Sequence, residues 1–297
     1  MSEGAQPSGL KNLFWAAAGA LPFVPRGESL PNRTLTVSDL SIDPDHVAAY
    51  AGVTGLRFGD QVPLTYPFAL TFPTVMSLVT SFDFPFAAMG SVHLENHITQ
   101  YRPIPVTDTI DAAVHAENLR EHRKGLLVDI VTDVKVGNDV AWHQVTTFLH
   151  QQRTSLSDEP KPPPEKQPKL GPPNAVLRIT PGEIRHYASV GGDHNPIHQD
   201  EAVATAVGLP GVIAHGMYTM ALAARAVADW FPEHEVVSLG CKFTAPVVVP
   251  AEGGVEVLVE GQEKLGDDGT TTVALTVTCG GTKVLGVPKA VLGPARG

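Results

Sequence analysis

Tyr187-Ala-Ser-Val-Gly-Gly-Asp193-His-Asn195-Pro-Ile-His198 decides how this chain is read, and Gly211-Val-Ile-Ala-His215-Gly216-Met217 follows it after a short spacer. A carboxylate and an imidazole five residues apart, introduced by two glycines and held by Asn-Pro, make a compact acid/base pair on a turn. Upstream, Thr180-Pro181-Gly182-Glu183 is a capping box with proline at the first helical position. A helix therefore runs to about Ser189 and stops at Gly191-Gly192. Downstream, Asp200 caps a short helix over Glu201 to Val207, closed by Gly208. His215 to Phe231 is the most apolar helical stretch of the chain, apolar or small on nearly every face, and so is expected to be buried on nearly every face.

Strand patterns surround that helix. Val176 to Ile179 precedes it; Val237 to Thr244, Val255 to Val259, Val273 to Cys279 and Lys283 to Leu292 follow, mostly with strict period-two alternation. Such alternation predicts an antiparallel sheet with one face on a core and the other in water. The same order of elements occurs earlier. Asp43 and Pro44 start a helix through His46 to Ala51, and Pro73 is placed to open a second through Val75, Met76, Leu78 and Val79. Strands are expected over Ser91 to Gln100, Thr109 to Glu117, Leu126 to Val136 and Val140 to Leu149.

Local residues echo across the two halves. His46-Val-Ala-Ala-Tyr50-Ala-Gly-Val-Thr-Gly55 matches Glu183-Ile-Arg-His-Tyr187-Ala-Ser-Val-Gly-Gly192, and Gln100-Tyr-Arg-Pro103 matches Phe243-Thr-Ala-Pro246. The chain thus reads as an internal duplication. In this alignment Asp193 falls opposite Leu56, Asn195 opposite Phe58 and His198 opposite Gln61, so the first half has the scaffold without the acid/base pair. Four segments result: an N-terminal extension over 1–30, a first unit over 31–150, a Pro-rich linker over 151–174 and a second unit over 175–297. The linker, with seven prolines among charges, is expected to run extended.

Composition narrows the function. With 297 residues, 43% of them apolar, the chain can build substantial cores. A formal charge of −10 without a dense basic run points away from nucleic acid and from acidic membrane surfaces. No run approaches the roughly 18 apolar residues that a membrane span needs. Leu13 to Leu21 superficially resembles a secretion signal, but Pro22 and Pro25 end it early, so a short packed helix or arm is the expectation. Two cysteines, Cys241 and Cys279, sit among alternating apolar positions as small buried side chains, consistent with a reducing, cytoplasmic setting.

Gly-Asp193-x-Asn195-Pro-x-His198 with a downstream Ala-His-Gly, on a duplicated helix-and-sheet scaffold, resembles the MaoC-like (R)-specific hydratase 2 group of the hotdog superfamily. The whole chain looks like the mycobacterial and actinobacterial double-hotdog (3R)-3-hydroxyacyl-thioester dehydratases. The resemblance implies an α+β double hotdog, each unit a long buried helix wrapped by a curved antiparallel sheet. It implies reversible dehydration of (3R)-hydroxyacyl thioesters, on acyl-carrier protein or coenzyme A, to trans-2-enoyl thioesters. It carries catalysis onto Asp193 and His198, support onto Asn195 and an oxyanion donor onto the backbone N–H of Gly216. No metal or redox cofactor is implied, and the two units pair as an intrachain pseudo-dimer, which is compatible with further homodimerisation.

Duller readings compete. Asp193, His194 and His198 have metal-ligand types, but Asn-Pro between the histidines argues against the helix that a four-residue spacing needs. Tyr187 reads as core and His215 as helix-start packing. Pro73, expected near the position matching Gly216, has no N–H to offer, which is a second sign of a silent first half. The Phe-rich region around Phe68 and Phe72 is then expected to take an acyl chain. A hotdog thioesterase and a non-catalytic acyl-thioester binding protein are the rival functions.

Overall fold

The capping signals and period-two runs resolve into one sheet carrying two sets of helices. The computed structural model describes residues 27, 29–88, 91–160 and 174–295; the Leu13 to Leu21 segment and the centre of the Pro-rich stretch lie outside them. The first half comprises β1 (Leu35–Ser41), α1 (Pro44–Thr54), α2 (Tyr66–Val79), β2 (Ser91–Gln100), β3 (Thr109–His122), β4 (Gly125–Val136) and β5 (Asp139–Gln151). The second comprises β6 (Ala175–Ile179), α3 (Pro181–Gly191), a 3₁₀ turn over Pro196–His198, α4 (Glu201–Ala206), α5 (Gly216–Trp230), β7 (His234–Phe243), β8 (Val255–Leu265), β9 (Thr271–Cys279) and β10 (Thr282–Ala295).

The strands form one antiparallel ten-stranded sheet in the order β1-β3-β4-β5-β2-β7-β10-β9-β8-β6. Read outward from the central β2–β7 pair, the two halves repeat one topology, which is the duplication expressed as hydrogen bonding. Asn96 pairs with Cys241 and Ile98 with Leu239 across this seam. Ser238 Oγ donates to the Ile98 carbonyl at 2.9 Å, and Lys242 Nζ meets Glu95 at 2.8 Å on the outer face. Helices fill the inner face. In α5, Met220, Leu222 and four alanines are all at most 2% exposed, so the small side chains let the sheet close around the helix. Two helical units wrapped by halves of one curved sheet constitute a double hotdog.

Two expectations change. Pro73 does not open α2: the helix starts at Tyr66 and carries Pro73 inside it. The lost N–H and the ring clash work against the helix, yet Phe68, Phe72, Val75 and Leu78 are buried along it, and that burial outweighs the local penalty. Gln61 is likewise not the spatial counterpart of His198. Gly55 (φ 69°) and Gly192 (φ 74°) end α1 and α3 identically in the left-handed region. The first half then reaches its bridge to Pro105 at Gln61, whereas the second reaches the matching bridge to Val248 only at Ile213. The second half inserts the 3₁₀ turn and α4 in between. Val62 N–H to Ile104 O is mirrored by Ala214 N–H to Val247 O, both within 0.1 Å of 3.0 Å. By that register Pro63 stands where the second half has His215, and Leu64 where it has Gly216.

Candidate active site

The capping box forms as the residues demand: Thr180 Oγ1 accepts from Glu183 N–H at 3.2 Å, and Glu183 Oε2 accepts from Thr180 N–H at 2.7 Å. This fixes α3, and its left-handed glycine cap turns the chain so that Asp193 leaves the helix end. Asp193 Oδ1 accepts from Asn195 N–H at 3.1 Å, and Asn195 Oδ1 accepts from Ile197 N–H at 3.3 Å. Two successive side-chain-to-backbone turns therefore lead from the carboxylate to the imidazole. Asn195 is itself exposed and serves the turn.

His198 is 7% exposed, and its Nδ1 lies 2.8 Å from the Ile213 carbonyl. A carbonyl only accepts, so Nδ1 carries the proton in that bond and Nε2 is the ring atom left to face the site. That Nε2 stands 3.8 Å from Asp193 Oδ2, whose side chain is 26% exposed. The sequence-derived pair is thus brought together, with an oxygen edge and a ring nitrogen facing a common space.

His215, read from sequence as packing, belongs to the same constellation. It occupies the N-cap position of α5, is 2% exposed, and its Nε2 donates to the Asp193 carbonyl at 3.0 Å. Its ring stacks on His198 with centroids 3.8 Å apart. Burial lowers its pKa to about 4, with the neighbouring His198 charge adding to the shift, so His215 is neutral near pH 7. Tyr187 is core as expected, buried against His215 at 5.1 Å and Tyr218 at 4.9 Å. The donor atoms of Asp193, His198 and His215 lie within 4.8 Å of one another, a spacing that a divalent cation can span; His194 is exposed and outside this group.

Gly216 begins α5, where backbone N–H groups have no intrahelical acceptor. A Cβ at Gly216 would come within 3.0 Å of Phe243 Cε1, so the aromatic ring covers the helix start and only glycine fits beneath it. The first half treats its helix start differently, since Tyr66 N–H is taken by the Pro63 carbonyl at 2.9 Å.

The first half also supplies walls. Phe72 of α2 lies 3.8 Å from where a Gly192 Cβ would be. His93 of β2 is half-buried, packs against Phe243 at 4.6 Å, and feels the Asp193 carboxylate. No local signal marks His93, because only the β2–β7 pairing carries it to the second half's turn. A groove of about 500 Å³ on the outer face of this seam, lined by Glu95, His97, Lys242, Val287 and Lys289, includes none of these site residues.

Residues 161–280 match the model of the MaoC like domain. The chain is 69% identical over 252 residues to 3-hydroxyacyl-thioester dehydratase X of Mycobacterium tuberculosis, covering 85% of this chain and 89% of that protein. It is 25% identical over 188 residues to the peroxisomal enoyl-CoA hydratase 2 of Arabidopsis thaliana, covering 57% and 59% of the two chains. Among solved structures, HtdX from Mycobacterium tuberculosis superposes with a TM-score of 0.73 at 59% identity, over 87% of this chain and 98% of that one. With this extent of identity on a shared fold, the chain belongs to the MaoC-like 3-hydroxyacyl-thioester dehydratase family.

Proposed function

We propose that this protein catalyses the reversible dehydration of (3R)-3-hydroxyacyl thioesters to trans-2-enoyl thioesters, with one active site per chain, built by the second half. The observation that carries the reading is the Asp193 Oδ2 to His198 Nε2 separation of 3.8 Å at the mouth of α5. Elimination of water needs one group to take the C2 proton, one to protonate the departing C3 hydroxyl, and a donor for charge developing on the thioester oxygen. Asp193 and His198 face one side of a bound chain, which suits removal of both groups from the same face. The pair takes up the C2 proton and delivers one proton to the departing hydroxyl, so water leaves and the pair ends with the proton count it started with. Gly216 N–H is the proposed oxyanion donor, at the helix end where the macrodipole favours negative charge.

Acyl thioesters are the substrate class, with coenzyme A or acyl-carrier protein as the carrier. The acyl tail enters the first half past Phe68 and Phe72, and the two halves form the minimal functional unit as a pseudo-dimer. Hydration of crotonyl-CoA by the purified chain, followed as loss of enoyl absorbance without release of free thiol, tests the reading. Thiol release without hydration would support the thioesterase alternative instead, and binding without turnover the non-catalytic one.

A further inference from the structure

The interior beside the proposed site contains a buried polar cluster that the reaction, as derived above, does not use. Asn96 is 2%, Gln144 1% and Thr146 3% exposed. Asn96 Nδ2 donates to Thr146 Oγ1 at 3.0 Å and approaches His93 Nε2 at 3.1 Å, while Asn96 Oδ1 accepts from Gln144 Nε2 at 3.1 Å. An amide nitrogen has no lone pair to give, so His93 Nε2 is the acceptor and His93 is neutral with its proton on Nδ1. Burial acts in the same direction and lowers the His93 pKa to about 4, only partly offset by a backbone hydrogen bond at Glu95 and by the Asp193 charge. The cluster therefore runs from within electrostatic reach of Asp193, past a ring packed on Phe243, Phe148 and Phe68, to Gln144. There it ends in Gln144 Oε1, a buried acceptor with no hydrogen-bond partner among the described residues.

The scaffold does not require this polarity. The register that matches Gln100-Tyr-Arg-Pro103 to Phe243-Thr-Ala-Pro246 and Ile104 to Val247 places His93 opposite Val236 and Asn96 opposite Leu239. The copy that faces away from Asp193 uses apolar residues at both positions, and its strand pairs equally well. A cavity meant only for a saturated acyl chain would be lined as that copy is, because burying unfilled polar groups against hydrocarbon is unfavourable.

We propose that His93, Asn96 and Gln144 form a recognition patch on the acyl side of the site, selecting hydroxyacyl and enoyl thioesters whose chain bears a hydrogen-bond donor, such as a second hydroxyl, beyond C3. The Gln144 Oε1 acceptor takes that donor, and the neutral His93 edge keeps the approach polar without adding charge next to Asp193. This rests on the dehydratase reading and names its substrate class more narrowly.

The test compares kcat/KM for a medium-length trans-2-enoyl-CoA and its mid-chain hydroxylated analogue of equal length. Wild type is expected to favour the hydroxylated chain by about tenfold or more, because a site built to hydrogen-bond a hydroxyl discriminates against the analogue lacking it. Gln144→Met, nearly equal in volume, is expected to bring the ratio close to one. The pair His93→Val with Asn96→Leu, which installs the other copy's residues, is expected to reverse it. A wild-type ratio at or below one overturns the proposal while leaving the dehydratase reading intact, as does a ratio that neither variant moves. Turnover of neither substrate overturns both. Should Gln144→Met fail to fold, as judged by its thermal melt, the wild-type ratio decides alone.

Discussion

His198 Nε2 and Asp193 Oδ2 are 3.8 Å apart, too far for a hydrogen bond to each other and close enough for one substrate oxygen to touch both. Their proton exchange therefore runs through substrate. Asp193→Asn and His198→Ala are each expected to lower kcat by about 10²–10⁴-fold. The double variant should cost little more than either single change, because the two act as a unit. Single-turnover hydration of crotonyl-CoA measures this; loss of activity that simply multiplies across the two sites would contradict it.

Gly216 offers a different kind of test. Because Phe243 closes over it, Gly216→Ala should push the ring and the helix start apart and lower kcat by roughly 10²-fold, the scale of one lost oxyanion donor. Phe243→Leu in the same chain makes room for the methyl group. It should recover part of the loss if displacement of the helix start is the cause.

Acid should destabilise the fold through His215. Its folded pKa of about 4 lies below the ordinary 6.5, so the native state binds fewer protons than the unfolded chain between those values. The stabilisation is present above pH 6.5 and is lost as pH falls through about 4, by about 3 kcal/mol for a group this buried. Urea unfolding at a series of pH values measures the slope. His215→Gln should flatten it, leaving the part due to His93, whose pKa is lowered in the same direction.

Zinc ions should inhibit. The donor atoms of Asp193, His198 and His215 lie within 4.8 Å of one another, and His215 Nδ1 has no hydrogen-bond partner among the described residues. A bound cation would occupy the His198 lone pair that proton transfer needs. Micromolar Zn²⁺ is expected to lower turnover reversibly, with a chelator restoring it. His215→Ala should raise the inhibitory concentration, read as the shift in half-inhibition.

Core polarity away from the site can also be tested. Asp129 is 7% exposed and accepts from Arg120, Asn118 and Thr147, at 2.6 to 3.1 Å. Asp129→Ala leaves the partly buried Arg120 without its carboxylate and is expected to cost about 3 kcal/mol in chemical denaturation.

What sequence shows well is what local chemistry enforces. The glycine stop at Gly191-Gly192, the Thr180 to Glu183 box and the alternating strands each follow from a few neighbouring residues, and each forms as read. Pro73 misled because a proline penalty is local while the burial of Phe68, Phe72 and Leu78 that overrides it is not. The equivalence of Gln61 with His198 failed where the second half inserts a turn and a helix, a difference that no residue pattern near Gln61 records. His93 was invisible for a similar reason: its partners Asn96, Phe148 and Phe243 come from two further strands and a close neighbour, joined only by the sheet. His215 had one signal, its place just before Gly216, and that signal equally suits a packed helix start.

The seam between β2 and β7 puts a wall from one copy against the carboxylate of the other. If each copy were a separate subunit, every substitution would appear on both sides of the twofold at once, and assembly would depend on concentration. Joined in one polypeptide, the copies meet at an effective concentration that dilution does not change. Each is then free to lose what the other keeps, as Pro63 opposite His215 and Val236 opposite His93 record.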